Sequence, residues 1–424
     1  GEDRLMFLTP WLRSIGQRLR TRNRRKAKQI EPQRARHSAA VVVETLEDRT
    51  LLTIDVTAFT ATSATITGGA DVNDLVLGHN AGGFLTHNLS GNPNATGDYA
   101  DETDFDPTGT TQAIAVATAG TIAVNLGDSA DSITIDDSQG LALQGAAAIH
   151  IDIDGEGGSD ELIGPDTAGM VFAVVTANTG NLGGAGVTDF ANVENLTGGS
   201  QADTFDVAVA GSLAGAIDGQ AGNDALEGTE IDAVVLTGSD ANGYAGTELG
   251  ITGNFDHIVS VTGNGGTLTG QPVDSTWTLS GAPTYFNGSH ALNLSGFATL
   301  QGDSGEDTFN VTAASAFTLN GGAGVDAFDI DAVLTGTADG EAGADTLEGT
   351  EIDVVVLTGA DGDGFAGADG VTVFDGIQAL TGTGAGTLTG ANVANTWGLD
   401  GTPQLDDAGN LLGFSGFATL QGGT

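Results

Sequence analysis

The 424-residue chain has no cysteine, which excludes disulfides, thiolate metal sites and cysteine nucleophiles. It also has no lysine or arginine after Arg49; all 12 basic residues lie between Arg4 and Arg49. Positions 1–50 set six acids against those bases and net +6, while positions 51–424 carry the other 50 of the 56 acids and net −50. Such a body cannot bind nucleic acid by displacing counterions from phosphates, which takes Lys and Arg. It repels itself unless salt or divalent cations screen it. Aromatics make up only 5% of the chain, which suits thin layers of Val, Ile, Leu and Ala more than a thick aromatic core. No apolar run approaches the roughly 18 residues that a transmembrane helix needs. Glycine is abundant, at 68 residues, but follows no every-third-residue rule, so collagen is excluded.

The groups needed for catalysis are also sparse. A polysaccharide lyase needs Arg or Lys as base and to neutralise a uronate, and neither occurs after Arg49. Glycoside hydrolysis needs only two carboxylates. Asp136–Asp137 and Asp406–Asp407 are candidates, but adjacent acids also make ordinary solvated turns. The body offers Trp277, Trp397, Tyr99, Tyr244 and Tyr285 for sugar stacking, and the two tryptophans occupy equivalent repeat positions, which favours packing. The histidines (His37, His79, His87, His150, His257 and His290) are scattered, with no HExxH, G-x-S-x-G or Walker pattern. The expectation is a non-enzyme with neither catalytic residues nor an organic cofactor.

What is present is repetition. GQAGNDALEGTEIDAVVLTG (219–238) recurs as GEAGADTLEGTEIDVVVLTG (340–359), a shift of 121. Trp277 matches Trp397, and SGFATLQG at 295–302 recurs at 415–422, both shifted by 120. GGSQADTFDV (198–207) matches GDSGEDTFNV (302–311), shifted by only 104. The difference lies in one interval: Asp203 to Asp224 spans 21 residues, whereas Asp307 to Asp345 spans 38 and holds an additional unit, GGAGVDAFD (321–329). Gain or loss of a module without disturbing its flanks is how a solenoid evolves, since each coil touches only its neighbours.

Short β-prone segments such as TFNV, FDID, IDVVVL and ITID are bounded by Gly, Asp and Asn, and helical periodicity is missing after residue 50. The sequence predicts an all-β body: a parallel β-helix or β-solenoid with a super-repeat of about 120 residues, broken by sandwich-like insertions around 240–295 and 360–415. Tandem β-sandwich domains fit the repeat length equally well. The expected divisions are 1–53, 54–195, 196–301 and 302–424: a basic N-terminal segment, a first solenoid region and two repeat units.

Six segments approximate G-G-x-G-x-D-x-U-x, with U a large apolar residue: 155–163, 198–206, 219–227, 302–310, 321–329 and 340–348. Looser relatives occupy 68–77 and 127–135. They resemble the calcium-binding nonapeptides of the repeats-in-toxin family, whose β-roll holds Ca²⁺ in its turns. The resemblance implies Ca²⁺ as the cofactor and Asp160, Asp203, Asp224, Asp307, Asp326 and Asp345 as metal ligands. Most copies stand alone rather than in tandem, and a Gly-Asp turn of a calcium-free β-helix would read the same way. Asp307, Asp326 and Asp345 are spaced by 19 and 19. If each interval is one coil, these carboxylates form a ladder at the roughly 4.8 Å strand spacing that must recruit cations or face water, with Phe309, Phe328 and Leu347 stacked inside.

At the N-terminus, Leu8, Trp11, Leu12, Ile15 and Leu19 mark one face of a short helix crowded by Arg and Lys, a targeting or membrane-surface pattern. It leads to LEDRTLLT, where Leu46, Glu47, Asp48, Arg49, Leu51 and Leu52 resemble the LEPR-XLL segment of large planctomycete secreted proteins. Asp48 replaces that family's proline. The resemblance implies export to the cell surface or medium, with contacts to membrane or export machinery through this segment. The expected role is a structural or adhesin-like surface protein, with cell envelope, extracellular matrix or other surface proteins as partners and no nucleic acid. The alternative is a non-catalytic stretch of an exported carbohydrate-active β-helix enzyme whose catalytic part lies downstream. Translation is expected to start at Met6 and the reading frame to run on past Thr424.

Overall fold

The computed structural model describes residues 54–90, 92, 95–117, 120–139, 149–184 and 187–424. The basic segment, its expected short helix and the LEDRTLL motif lie outside the described residues. Among the described residues every regular element is a strand, and 36 of the 38 join one hydrogen-bonded sheet. Leu51–Thr424 is one compact unit. The all-β expectation holds, and the long sheet is compatible with a β-solenoid.

Much of the pairing is parallel, and in the second repeat it advances by a fixed step. Asp307–Val311 pairs with Ala327–Ile330, which pairs with Thr346–Glu348, placing Phe309, Phe328 and Leu347 side by side. Thr299–Gln301, Thr318–Asn320 and Thr337–Asp339 form a second column, aligning Leu300, Leu319 and Ala338. Ala323–Gly324 and Ala342–Gly343 form a short third. Phe205 and Leu226 make the corresponding step in the first repeat. The additional unit at 321–329 is therefore one more rung in columns whose flanks keep their register.

Alternation of side chains explains why these segments become strands. In Asp307–Val311 and Ala327–Ile330 every second residue is buried, so the apolar set faces the core while Thr308, Asn310 and Asp329 face outward. Trp277, Phe309 and Phe328 stack with ring centroids 5.6 and 5.1 Å apart and planes within 10° and 7° of parallel. That separation is close to the roughly 4.8 Å between strands, so the rings follow the backbone ladder. Trp277 is fully buried, and its repeat partner Trp397 packs edge-on against Phe414, so both tryptophans serve packing.

Where successive rungs lie further apart in sequence, the surplus folds as antiparallel hairpins. Ala233–Ser239, Tyr244–Glu248 and Ile251–Ile258 pair in this way, as do their counterparts Val354–Ala360, Phe365–Asp369 and Thr372–Ile377. Ser275–Leu279, Thr284–Phe286 and Ala291–Ser295 form another such set. The insertions expected to be sandwich-like are thus meanders that continue the same sheet. Parallel pairing also crosses the expected divisions: Asn195–Thr197 pairs back to Glu161–Ile163, and Thr299–Gln301 pairs forward to Thr318–Asn320.

Candidate functional site

The six motif aspartates enter the strands at one edge of the columns. The sequence expects Asp307, Asp326 and Asp345 to recruit cations or face water; they do not face open water, and all six motif aspartates are at most 1% exposed. The reason is a run of backbone amides that need acceptors. Asp345 Oδ1 accepts the Asp326 N–H at 2.8 Å, and Asp326 Oδ1 accepts the Asp307 N–H at 2.8 Å. Asp224 takes the Asp203 N–H at 2.7 Å, Asp203 the Met170 N–H at 2.7 Å, and Asp160 the Asp131 N–H at 2.8 Å. Asp307 accepts the Ser275 hydroxyl. Each carboxylate therefore clamps the turn of the rung before it. Where no aspartate follows, Gln378 receives the Asp345 N–H and Glu194 the Asp160 N–H.

The motif glycines make space for this clamp. A methyl group on the first glycine (Gly155, Gly198, Gly219, Gly302, Gly321 or Gly340) would stand under 3.0 Å from Oδ2 of its own aspartate. None of these six has a left-handed φ, so close approach and not turn handedness calls for glycine there. The fourth glycine abuts the preceding rung: Gly343 faces the Gly324 carbonyl, and Gly324 that of Gly305. G-x-x-G-x-D is thus the footprint of a buried carboxylate between two backbones.

Two further residues share the column. Asn73 and Asp131, from the looser copies at 68–77 and 127–135, are buried, and Asp131 Oδ1 accepts the Asn73 N–H at 2.6 Å. Their signal was the residual glycine pattern around them.

Ca²⁺ takes six to eight oxygen ligands. Each turn supplies one carboxylate with one oxygen already bound by a hydrogen-bond donor, and among the described residues no three His, Asp or Glu side chains gather where they could hold a metal ion. Among the motif aspartates, Asp203 alone binds a donor on Oδ2 as well, the Gly199 N–H at 2.7 Å. Burial raises the carboxyl pKa along the column: to about 7 for Asp307, to about 6 for Asp160, Asp224 and Asp345, and upward for Asp131, Asp203 and Asp326.

The paired acids weighed for hydrolysis accept backbone N–H groups, Asp136–Asp137 just after a strand and Asp406–Asp407 at the end of one. Buried Asp137 accepts the Thr167 N–H at 3.1 Å, Asp136 the Ser138 N–H at 2.8 Å, and Asp406 the Gly409 N–H at 2.8 Å.

A polar constellation off the column surrounds His257. Its Nδ1 lies 2.6 Å from Asp218 Oδ1, and its Nε2 lies 3.3 Å from Asp240 and 3.9 Å from Asp256. Burial works against a charged ring, but the bond to Asp218 and the three carboxylates prevail and raise the His257 pKa. In the second repeat Gly376 stands where His257 stands, both with left-handed φ (65° and 57°). There Asp339, Glu341, Asp361, Asp363 and Asp375 line an open cavity of about 300 Å³. Because the folded His257 pKa lies above its unfolded value near 6.5, its stabilisation is complete below that pH and lost as pH rises through the folded pKa. His257→Asn, which tolerates the left-handed backbone, should lower stability by about 0.5–1 kcal/mol at pH 5.5 and by much less at pH 8.5. Thermal melts at the two pH values check this; an equal loss at both would assign His257 a packing role alone.

No protein-family model, curated protein or solved structure matches the chain.

Proposed function

We propose that the chain is a secreted or surface-anchored structural protein whose acidic body is a parallel β-solenoid, acting as a spacer or adhesin-like element without catalysis. The observation that carries this reading is the 19-residue step shared by core ring, backbone pair and aspartate clamp. A unit that reproduces its own packing adds length and lateral surface rather than a cleft. The net charge of −50 beyond residue 50 disfavours phosphate-bearing partners and favours cell envelope, matrix or other surface proteins. Divalent cations serve this body as diffuse counterions. The resemblance of Leu46–Leu52 to the LEPR-XLL segment supports export.

Fractionation of native cells followed by peptide mass spectrometry tests the reading. Peptides from the acidic body should appear in the medium or among surface peptides released by protease from intact cells. Recovery from the cytosol alone would overturn it.

A further inference from the structure

We propose that Asn242 is a site of spontaneous covalent modification, where the folded chain loses the side-chain amide to the Gly243 nitrogen and water leaves aspartate or isoaspartate. The step needs an asparagine followed by a residue that does not hinder approach to its own backbone nitrogen, and glycine, with no Cβ, is that residue. The Gly243 nitrogen attacks Asn242 Cγ, the new C–N bond closes a five-membered succinimide, and the Cγ–Nδ2 bond breaks. Nδ2 leaves as ammonia with the proton that the Gly243 nitrogen gives up. Water then opens the ring at Cγ to leave aspartate, or at the main-chain carbonyl to leave isoaspartate. Nothing is oxidised or reduced.

Four Asn-Gly pairs occur, at 242–243, 264–265, 287–288 and 320–321, and hydrogen bonding separates them. Reaction requires a side-chain amide that can turn towards the main chain and a following nitrogen that is not held elsewhere. Asn264 donates Nδ2 to the Thr229 carbonyl at 3.0 Å, and the Gly265 N–H is held by the Gly296 carbonyl at 2.6 Å. Asn320 ends a strand, gives Nδ2 to Gln301 at 2.8 Å, and is followed by a Gly321 N–H bound to the Asp339 carbonyl at 2.8 Å. Asn287 is held at both ends of its amide. Its Oδ1 accepts the Ser289 and His290 N–H groups at 3.1 and 2.9 Å, and its Nδ2 donates to Gln271 and Ser239 at 2.6 and 2.8 Å. Asn242 is exposed at the tip between Ala233–Ser239 and Tyr244–Glu248. Among the described residues, neither its side chain nor the Gly243 N–H has a hydrogen-bond partner.

The second repeat shows that this turn accommodates the aspartate product. Asp363–Gly364 stands where Asn242–Gly243 stands in the first. The Asp240 N–H donates to the Gly243 carbonyl and the Asp361 N–H to the Gly364 carbonyl, both at 2.9 Å. The Asn242 and Asp363 N–H groups donate to the carboxylates of Asp240 and Asp361 at 2.8 and 3.0 Å. Conversion of Asn242 therefore gives the first tip the pair of acids that the second already has, beside the His257 ring that lies 3.3 Å from Asp240. The isoaspartate product instead adds a methylene to the main chain inside the turn, which works against the Asp240–Gly243 bond.

The full chain is kept at pH 7.5, folded or in urea, in water enriched in heavy oxygen, and peptides released by a Glu-specific protease are followed by mass spectrometry. Ring opening marks each new carboxyl with one labelled oxygen. In urea the four pairs should convert at comparable rates. In the folded chain Asn242 should keep nearly its unfolded rate, while Asn264, Asn287 and Asn320 should slow by about tenfold or more, since a held amide reacts only after local opening. Asn242→Gln, one methylene too long for the five-membered ring, should abolish the label in the peptide 231–248. Folded Asn242 converting no faster than the other three would overturn the proposal. So would label at Asn242 in urea alone, or label that persists in that peptide of Asn242→Gln.

Discussion

Phe328→Ala should destabilise the folded chain by about 3–5 kcal/mol, measured as a shift in the denaturant midpoint. Phe328 is fully buried, sandwiched in register between Phe309 and Leu347, and stacked on Phe309 with planes 7° apart. Its removal deletes apolar burial and opens a gap that the hydrogen-bonded strands above and below hold open, because their spacing is fixed by the ladder rather than by the ring. Phe286, 40% exposed in a hairpin, is the matched control, and Phe286→Ala should stay within about 0.5 kcal/mol of the wild type. Equal losses at the two sites would mean that the Phe309–Phe328–Leu347 column is not the core of this repeat.

Gly302→Ala should cost about 3 kcal/mol. The added methyl would press on the Gly321 carbonyl oxygen and on Asp307 Oδ2 together, and neither can retreat without breaking a rung. The Gly302 N–H itself donates to the Asn320 carbonyl at 2.8 Å, which ties Gly302 to that same rung. At Gly362, in a hairpin turn, an added methyl meets nothing within 4 Å, so Gly362→Ala should be close to neutral. Urea unfolding of the two variants separates these outcomes. A harmless Gly302→Ala would dismiss the account of the motif's first glycine as room for its own aspartate.

The repeating rungs were legible because their information is local. Phe309, Phe328 and Leu347 each follow their aspartate by two residues, so one pattern carried both the strand and the inward face. The unequal shifts of 104 and 121 located the additional rung for the same reason. The direction of the carboxylates was not legible, because the amide that draws Asp326 inward belongs to Asp307, 19 residues earlier and adjacent only after folding. His257 was hidden in the same way: Asp218 lies 39 residues from it and Asp240 lies 17. The hairpins at 233–258 and 354–377 read as generic β-sequence, which does not distinguish a meander in the same sheet from a sandwich.

The clamp between rungs also bears on heredity. The Asp326 rung gives its carboxylate to the Asp307 amide before it and its amide to the Asp345 carboxylate after it. A slipped copy of the gene that doubles such a rung delivers one donor and one acceptor together, and a deletion removes one of each. Either error leaves the remaining turns partnered, so lineages can lengthen or shorten this body between generations without passing through a misfolded ancestor.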